Sequence, residues 1–275
     1  MNTTNGDLIA VKQFKLPRTA AEERNQHCLQ KKIYYFTNEI KVLKNLNHPQ
    51  IVQYLGWVVT PGYLTLVLEY VSGETIASCL TTNGPFQEEI TKSFSKQLLG
   101  VLEYLHRKGI IHHGLHSENV LVDYSGRCKI TDFGSSQLTD GPYYQDPLEM
   151  EGGLFWMAPE LFYFDEIKKH NGKTDIWSLG CVVLEMWSGL RPWNKIESYQ
   201  AFFKLAEKNG SPLVPNHVHL DTLGIDFVSR CFEREPIARA SAEELSRHPY
   251  LVESPDWKFD GFGTRSSALS MKNNP

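Results

Sequence analysis

The fold class predicted for this sequence is α+β, and four segments within its first 70 residues lead to that prediction. Residues 8–12 form an apolar run that ends in a lysine, and residues 51–56 and 64–69 are rich in β-branched and large apolar side chains, as strands are. From about Lys31 to Leu46, apolar residues recur every three or four positions, which is the period of an amphipathic helix. We therefore expect a small sheet together with one long helix.

The predicted helix carries one apolar stripe along its length. This stripe consists of Ile33, Phe36, Ile40, Leu43 and Leu46. Asn47-His48-Pro49 is expected to end the helix, because proline cannot continue it.

The composition is typical of a globular cytoplasmic protein. The 275 residues are 41% hydrophobic and 12% aromatic, which is enough to bury a large core in one bilobal unit or two ordinary domains. A net charge of −4 gives no overall attraction to nucleic acid or to an anionic membrane surface. The five cysteines lack C-x-x-C spacing, which favours reduced and mostly buried thiols. Because neither a signal peptide nor a membrane-spanning apolar stretch is recognisable, we expect a cytoplasmic location.

The most informative segment is residues 112–123, which read HHGLHSENVLVD. This run resembles the catalytic loop of protein kinases, H-R-D-x-K-x-x-N-x-L-x-D, with its middle replaced. In a kinase, the aspartate of the loop accepts the proton of the substrate hydroxyl, and the lysine neutralises charge on the moving phosphoryl group. The resemblance implies that Gly114 holds the position of this base and His116 the position of this lysine.

Further motifs of the same family follow in the family's order. Lys12 ends a run similar to the strand whose lysine pairs the nucleotide phosphates, and Glu39 falls where the next helix carries the glutamate that pairs this lysine. Asp132-Phe133-Gly134 resembles the metal-binding DFG motif, and Ala158-Pro159-Glu160 resembles APE. Asp175–Gly180 resembles the helix that supports the catalytic loop from beneath. One short motif would be weak evidence for a family. This ordered set is strong evidence, because it covers nearly the whole chain.

Finer details are similar to the MAP kinase kinase kinase group, notably in residues 47–56, 155–160 and 201–205. Arg239 lies where kinases place the partner of the APE glutamate, so we expect a buried ion pair between Glu160 and Arg239. Four residues match the apolar spine that joins the two lobes of a kinase: Leu43, Tyr54, His112 and Phe133.

The resemblance implies a bilobal protein kinase-like fold with a truncated N-lobe. Residues 1–71 would form the partial N-lobe and hinge, residues 72–252 a mainly helical C-lobe, and residues 253–275 a C-terminal tail. The first residues resemble the turn before the lysine-bearing strand, so the preceding β-hairpin with its glycine-rich loop is expected to be missing. Truncation of a longer protein and loss from the gene explain this equally well.

The resemblance also implies a site for ATP and Mg²⁺, with weak or absent binding because the glycine-rich roof is missing. Lys12, held by Glu39, would contact the phosphates, and Asn119 and Asp132 would supply the metal-binding oxygens. The adenine slot would be formed by the backbone of Glu69 and Val71 and by the side chains of Ala10 and Leu121.

Departures from the family pattern concentrate where phosphoryl transfer takes place. The arginine of H-R-D is replaced by His113, which is neutral or only partly charged near pH 7, and the threonine that precedes the Y/F-W pair is replaced by Gly153. With Gly114 and His116, three members of one hydrogen-bonded cluster are changed while the surrounding scaffold is kept. This pattern predicts a pseudokinase.

Two functions from different classes remain open. The first is a MAP kinase kinase kinase-like pseudokinase that acts as a scaffold or allosteric partner of protein kinases or scaffolds in a MAP kinase cascade, through a surface near residues 198–208. The second is an active serine/threonine kinase that phosphorylates a downstream kinase as part of a longer chain, with His113 or His116 as a substitute base. The degenerate loop favours the first function. The second is favoured by four retained residues: Lys12, Glu39, Asn119 and Asp132.

Overall fold

The computed structural model describes residues 6–17, 26–139, 153–162, 172–194, 196–197, 200–201, 204–205 and 210–262. The strands are β1 (Ile9–Lys15), β2 (Tyr54–Thr60), β3 (Tyr63–Glu69), β4 (Gly73–Thr75), β5 (Ile110–Ile111), β6 (Val120–Asp123), β7 (Cys128–Ile130) and β8 (Gln137–Leu138). The α-helices are α1 (Gln26–Leu43), α2 (Ile76–Asn83), α3 (Glu88–Arg107), α4 (Lys173–Ser188), α5 (Thr222–Cys231) and α6 (Ala242–Ser246). Short 3₁₀ turns are formed by Ser117–Asn119, Leu154–Trp156, Pro159–Phe162 and Pro249–Leu251.

The first sheet is antiparallel, with strand order β1-β3-β2. Lys12 and Phe14 are two residues apart on β1, so their side chains leave the same face of the sheet. That face packs against α1, where the rings of Phe14 and Phe36 meet edge to face at 5.2 Å between centroids. Lys12 is therefore directed towards α1.

The strand predicted at residues 51–56 has the wrong boundaries. The strand begins at Tyr54 and continues to Thr60. The preceding residues pair with β7 instead, because the N–H of Val52 donates to the carbonyl of Ile130 (3.0 Å) and the N–H of Ile130 donates to the carbonyl of Gln50 (2.9 Å). These two hydrogen bonds connect the segment before β2 to β7, the strand that precedes Asp132.

Helix α1 begins at Gln26 and ends at Leu43, so it starts and stops earlier than the predicted range of 31–46. Phe36 and Leu43 of the predicted stripe are buried and Ile40 is half-buried. Ile33 was expected in this stripe but is 37% exposed. The buried part of the stripe begins at Phe36, where the aromatic contact with β1 is made.

Helix α4 forms the centre of the larger, mainly helical part of the structure. Every residue from Thr174 to Ser188 is buried, and α3 and α5 pack against this helix. Gly172 precedes α4 with φ at +76°, and an added Cβ would lie 2.4 Å from the ring of His106. Glycine is required here both for the left-handed backbone and for the close approach.

Two smaller sheets set the positions of the loops. One has the order β4-β6-β7, and the other pairs β5 with β8. The loop at residues 112–119 runs from β5 to β6, and Asp132 lies two residues after the end of β7. The neighbouring strands β6 and β7 therefore bring these two loops to the same side of the structure.

The described part of the predicted tail packs against the helical part. Phe259 and Phe262 form an aromatic cluster with Phe86 and Phe94, at centroid distances between 4.9 and 6.2 Å. The N–H of Ser254 donates to a Glu89 carboxylate oxygen at 2.9 Å.

Four cysteines have described side chains, and all four are free and buried, as the sequence predicts: Cys79, Cys128, Cys181 and Cys231. No α-helix among the described residues combines the length and the apolar character needed to cross a bilayer.

Candidate active site

An ion-pair network joins three of the residues selected from the sequence. Lys12 Nζ lies 2.9 Å from Glu39 Oε2 and 2.8 Å from Asp132 Oδ1. Lys12 comes from β1, Glu39 from α1 and Asp132 from the loop after β7, so three separate elements meet at one ammonium group. Lys12 and Asp132 thus face a common cleft.

Burial and pairing act in opposite directions on the pKa values of this network. Burial alone would lower the pKa of Lys12, but Glu39 and Asp132 outweigh it and raise this pKa above its usual value. Burial would raise the pKa of Asp132, but Lys12 outweighs it and holds this pKa below its usual range. For Glu39, which is 1% exposed, burial prevails over Lys12 and raises the pKa. Lys12 and Asp132 are therefore charged partners at neutral pH.

Asp132 adopts a backbone conformation that is rare for this residue type. Its φ is +64°, in the left-handed region, which costs of order 1–3 kcal/mol for a residue other than glycine. The strained loop is held to α1 by Asn38, whose Nδ2 donates to the carbonyls of Gly134 (2.9 Å) and Ser136 (2.7 Å). Strain maintained by such contacts is typical of functional sites.

The loop at residues 112–119 is fixed from below by Asp175 of α4. The backbone N–H groups of His112 and His113 donate to the two Asp175 carboxylate oxygens at 2.9 Å each, and the ring of His106 lies 2.8 Å from the same carboxylate. Burial would raise the pKa of Asp175, but the hydrogen bond and charge of His106 lower it to about 2. The predicted support of this loop by the α4 segment is confirmed.

His113 is a neutral side chain in this environment. It is 7% exposed, and burial lowers its pKa to about 4. Its backbone also has a positive φ of +59°. A buried neutral imidazole cannot offer the cationic fork that an arginine offers to a phosphate.

Asn119 is oriented by two hydrogen bonds. Its Nδ2 donates to the carbonyl of Gly114 at 2.8 Å and to His116 Nε2 at 2.9 Å. Because a carbonyl oxygen only accepts, the Asn119 atom that faces Gly114 must be the amide nitrogen. The amide oxygen, Oδ1, therefore points the other way. Because His116 Nε2 accepts, the neutral ring of His116 carries its proton on Nδ1, which is buried and has no hydrogen-bond partner among the described residues. Burial lowers the pKa of His116.

Neither Gly114 nor Gly153 is a glycine for steric reasons. A Cβ added at Gly114 would lie 3.6 Å from the His112 ring and 3.7 Å from Ser135 Cβ, which are ordinary contact distances. A Cβ added at Gly153 would have no other atom of the described residues within 4 Å. Trp156 links two of the replaced positions: its ring centroid lies 5.5 Å from that of His116, and its backbone N–H donates to the Gly153 carbonyl. Gly114 is connected to His116 through Asn119.

Glu185 of α4 is a site residue that the sequence reasoning missed. Its carboxylate accepts hydrogen bonds from Ser117 Oγ (2.9 Å) and Trp156 Nε1 (3.1 Å), so it ties α4 both to the loop at 112–119 and to the turn at 154–156. Burial raises its pKa to about 7. A lone acidic residue within the apolar run from Cys181 to Trp187 was the available signal.

Three of the residues expected around adenine lie in strands, and Val71 lies in the connection between β3 and β4. Glu69 ends β3, where its N–H donates to the Gln53 carbonyl (2.9 Å) and its carboxylate accepts from Lys129 Nζ (2.6 Å). The Glu69 N–H is therefore already used within the fold. Three other expected residues are partly buried apolar side chains that pack against the core: Ala10, Val71 and Leu121.

The expected ion pair between Glu160 and Arg239 is confirmed. Arg239 Nη1 and Nη2 donate to the two Glu160 oxygens at 2.6 and 3.0 Å, a bidentate arrangement. Both residues are buried. Within the predicted spine, the rings of His112 and Phe133 are in edge contact at 4.7 Å.

The chain matches known protein kinases over most of its length. The family model described as "Protein kinase domain" matches residues 1–251. The MAP kinase kinase kinase mkh1 of Schizosaccharomyces pombe is 43% identical over 263 residues, which cover 94% of this chain and 23% of that protein. The serine/threonine-protein kinase BCK1/SLK1/SSP31 of Saccharomyces cerevisiae is 38% identical over 261 residues, which cover 94% of this chain and 17% of that protein. The chain thus spans about a quarter or less of the length of these two relatives.

A solved structure of similar fold supports the same conclusion. The crystal structure of the Rad53 kinase domain and SCD2 in complex with AMPPNP is 23% identical, with a TM-score of 0.70 over 94% of this chain and 88% of that chain. This likeness concerns the fold, and it confirms the α+β, bilobal architecture expected from the sequence. By its family match and its fold, the chain belongs to the protein kinase family.

Proposed function

We propose that this chain is a MAP kinase kinase kinase-like domain that binds nucleotide weakly, transfers phosphate poorly and acts as a scaffold or allosteric partner in signalling. The observation that carries the proposal is the loop at residues 112–119. Its backbone is held in order by Asp175 and Asn119, yet position 114 presents a hydrogen atom where the family presents the carboxylate of its base.

The expected loss of activity follows from the number of missing groups. A positioned general base contributes about 10²–10⁴-fold to a rate. His116 is neutral and hydrogen-bonded to Asn119, so it supplies no positive charge in place of the family's loop lysine. Gly153 supplies no hydroxyl to the same cluster. His113 and His116 are both weakened as substitute bases, because burial lowers both pKa values.

The retained residues fit ATP and Mg²⁺. The Asp132 carboxylate and the Asn119 amide oxygen are hard oxygen donors of the kind that Mg²⁺ prefers. Bound Mg-ATP would supply the phosphoryl group and neutralise part of its charge. Lys12, kept in position by Glu39, would pair the phosphates. The adenine slot would use the backbone of Glu69 and Val71 and the side chains of Ala10 and Leu121.

A thermal-shift titration tests the nucleotide part of this proposal. ATP or ADP with Mg²⁺ is expected to raise the melting temperature progressively, because a ligand that binds only the folded state stabilises it by mass action. Lys12→Ala and Asp132→Ala are expected to remove the shift. If the melting temperature does not change at millimolar nucleotide, or if both variants retain the change, the proposed nucleotide binding is wrong. The proposed scaffold function would then not involve a nucleotide.

A transfer assay tests the catalytic part. We expect no useful ATP-dependent phosphorylation of a protein substrate by the unmodified chain. Robust phosphorylation that disappears in Lys12→Ala would overturn the proposed impairment.

A second candidate function is an active serine/threonine protein kinase that phosphorylates a downstream kinase as part of a longer chain. The observation that favours it is the intact contact of Lys12 with Glu39 and Asp132 at 2.9 and 2.8 Å, which a pure scaffold does not need. The deciding experiment repeats the transfer assay on a chain extended at its N-terminus by a β-hairpin with a glycine-rich loop. Phosphate transfer by the extended chain, with none by the unmodified chain, would favour this second function.

The sequence similarity to MAP kinase kinase kinases supports a cytoplasmic role beside other kinases or scaffolds of a MAP kinase cascade. We place the partial N-lobe at residues 1–71, the C-lobe at 72–252 and the tail at 253–275. Most of the surface at residues 198–208, which the sequence suggests for partner binding, lies outside the described residues. Binding of a purified MAP kinase kinase, measured with and without charge-reversal variants of that surface, tests the assignment.

A further inference from the structure

A cavity of about 530 Å³ lies between α1 and β8, on a face of α1 different from the one that carries Glu39. Its α1 wall includes Asn38, Lys41 and Val42, residues spaced three and four apart as on one helix face, and Asn45 in the turn after α1 continues this wall. The opposite wall includes Lys108, Ile110 and Leu138. This size lies within the roughly 300–1,000 Å³ that small-molecule sites occupy.

The lining of this cavity combines an apolar base with a positive rim. Val42 and Ile110 are buried apolar residues, exposed by only 7% and 6%. Lys41 and Lys108 line the cavity from opposite sides, and both side chains are exposed. The Lys108 ammonium lies over the Tyr104 ring, 5.3 Å from its centroid. No carboxylate occurs among the described residues that line the cavity, although the whole chain has a net charge of −4. A local excess of positive charge in an acidic protein selects an anion.

We propose that this cavity binds a small organic anion that joins a phosphate monoester to an aromatic body. The two lysines match the charge of a phosphate dianion, and the apolar base and the volume match one or two fused rings. The amide side chains of Asn38 and Asn45 add polar groups along the α1 wall.

The position of the cavity connects its occupancy to the active site. Asn38 belongs to the cavity wall and also donates to the carbonyls of Gly134 and Ser136, the residues that follow Asp132. Its chain neighbour is Glu39, the partner of Lys12. A ligand between α1 and β8 therefore contacts the same helix and loop that hold the ion-pair network.

Isothermal titration calorimetry of the full chain with 1-naphthyl phosphate tests the proposal. We expect binding of this probe to be at least about tenfold tighter than that of 1-naphthol, which lacks the charge, and of inorganic phosphate, which lacks the rings. Equal affinity for 1-naphthol would overturn the role of the lysines. Equal affinity for inorganic phosphate would overturn the role of the cavity base.

Variants locate the binding site. Lys41→Gln and Lys108→Gln are each expected to weaken binding about fivefold to tenfold, since each removes one charge-assisted contact. Asn45→Trp, which fills the cavity from its lip, is expected to abolish binding. The matched control is Lys96→Gln on α3, an exposed lysine outside the cavity lining, which should leave the affinity unchanged.

Lys12→Ala separates this cavity from the nucleotide cleft. The probe is expected to bind Lys12→Ala as it binds the unmodified chain, whether or not the chain binds nucleotide at all. Loss of probe binding in Lys12→Ala, with retention in Asn45→Trp, would assign the probe to the nucleotide cleft and overturn the proposal.

Discussion

At the scale of single residues, the two glycines of the altered cluster can be replaced without steric conflict. Among the described residues, the nearest contact of a new Cβ at Gly114 would be 3.6 Å, and a new Cβ at Gly153 would have no neighbour within 4 Å. We predict that Gly114→Asp, His116→Lys and Gly153→Thr together raise phosphate transfer about 10²-fold or more, because they restore a base and its partners. The gain should exceed the product of the three single gains, since such groups act as a unit.

The measurement is initial-rate transfer of labelled phosphate to a protein substrate, with the melting temperature of every variant as a control for folding. A triple variant that melts like the unmodified chain but is no more active would contradict the assignment of these positions.

Glu185 provides a pH-dependent test of a buried carboxyl group. Its pKa is raised by burial from 4.5 to about 7, so the folded state holds its proton more tightly than the unfolded state. The resulting stabilisation is fully present below pH 4.5 and is lost as the pH rises through about 7. We predict that the free energy of unfolding, relative to that of Glu185→Gln, falls by up to about 3 kcal/mol over this range. Urea unfolding of both proteins at pH 5 and pH 8 measures this change, and a difference that stays constant would contradict the raised pKa.

At the scale of elements, the Glu160–Arg239 pair joins the 3₁₀ turn at 159–162 to the segment between α5 and α6. Arg239 also donates through Nη1 to the Lys173 carbonyl at 2.7 Å, so one guanidinium connects three segments. Removing one partner leaves a buried, uncompensated charge, and we predict that Arg239→Leu lowers the free energy of unfolding by about 3–5 kcal/mol.

Arg247→Leu is the matched control for this prediction. Arg247 forms an exposed ion pair with Glu243 one turn earlier in the chain, and such pairs contribute about 0–1 kcal/mol. Urea denaturation of both variants gives the comparison. Similar losses in the two variants would show that burial does not decide the strength of the Glu160–Arg239 pair.

At the scale of the whole molecule, the sequence predicted a residue's role correctly where a local motif defines that role. The prediction failed where contacts with distant segments determine the structure. Lys12, Glu39 and Asp132 meet in one network because each lies in a motif with a fixed place in the fold. The strand at 51–56 was misplaced because its first residues pair with Ile130, which no local pattern reveals. Glu185 was missed because its role depends on partners from two other segments.

The segment after residue 251 shows the same dependence on distant contacts. The kinase family model ends at residue 251, yet Phe259 and Phe262 pack on Phe94, whose side chain is fully buried. Phe259 also covers Gly126, where an added Cβ would lie 2.5 Å from its ring. The described part of the tail therefore completes the aromatic core beside α3.

We predict that Phe259→Ala with Phe262→Ala lowers the melting temperature of the full chain. Each ring is only partly buried, so we expect the free energy of unfolding to fall by about 1–3 kcal/mol per ring. Removing a fully buried phenylalanine ring costs about 3–5 kcal/mol. Lys258→Ala, an exposed residue of the same segment, is the matched control and should change the melting temperature little. Differential scanning calorimetry measures all three proteins. If the double variant melts with the control, the rings of Phe259 and Phe262 contribute no stability, and the proposed role of the tail in the aromatic core is wrong.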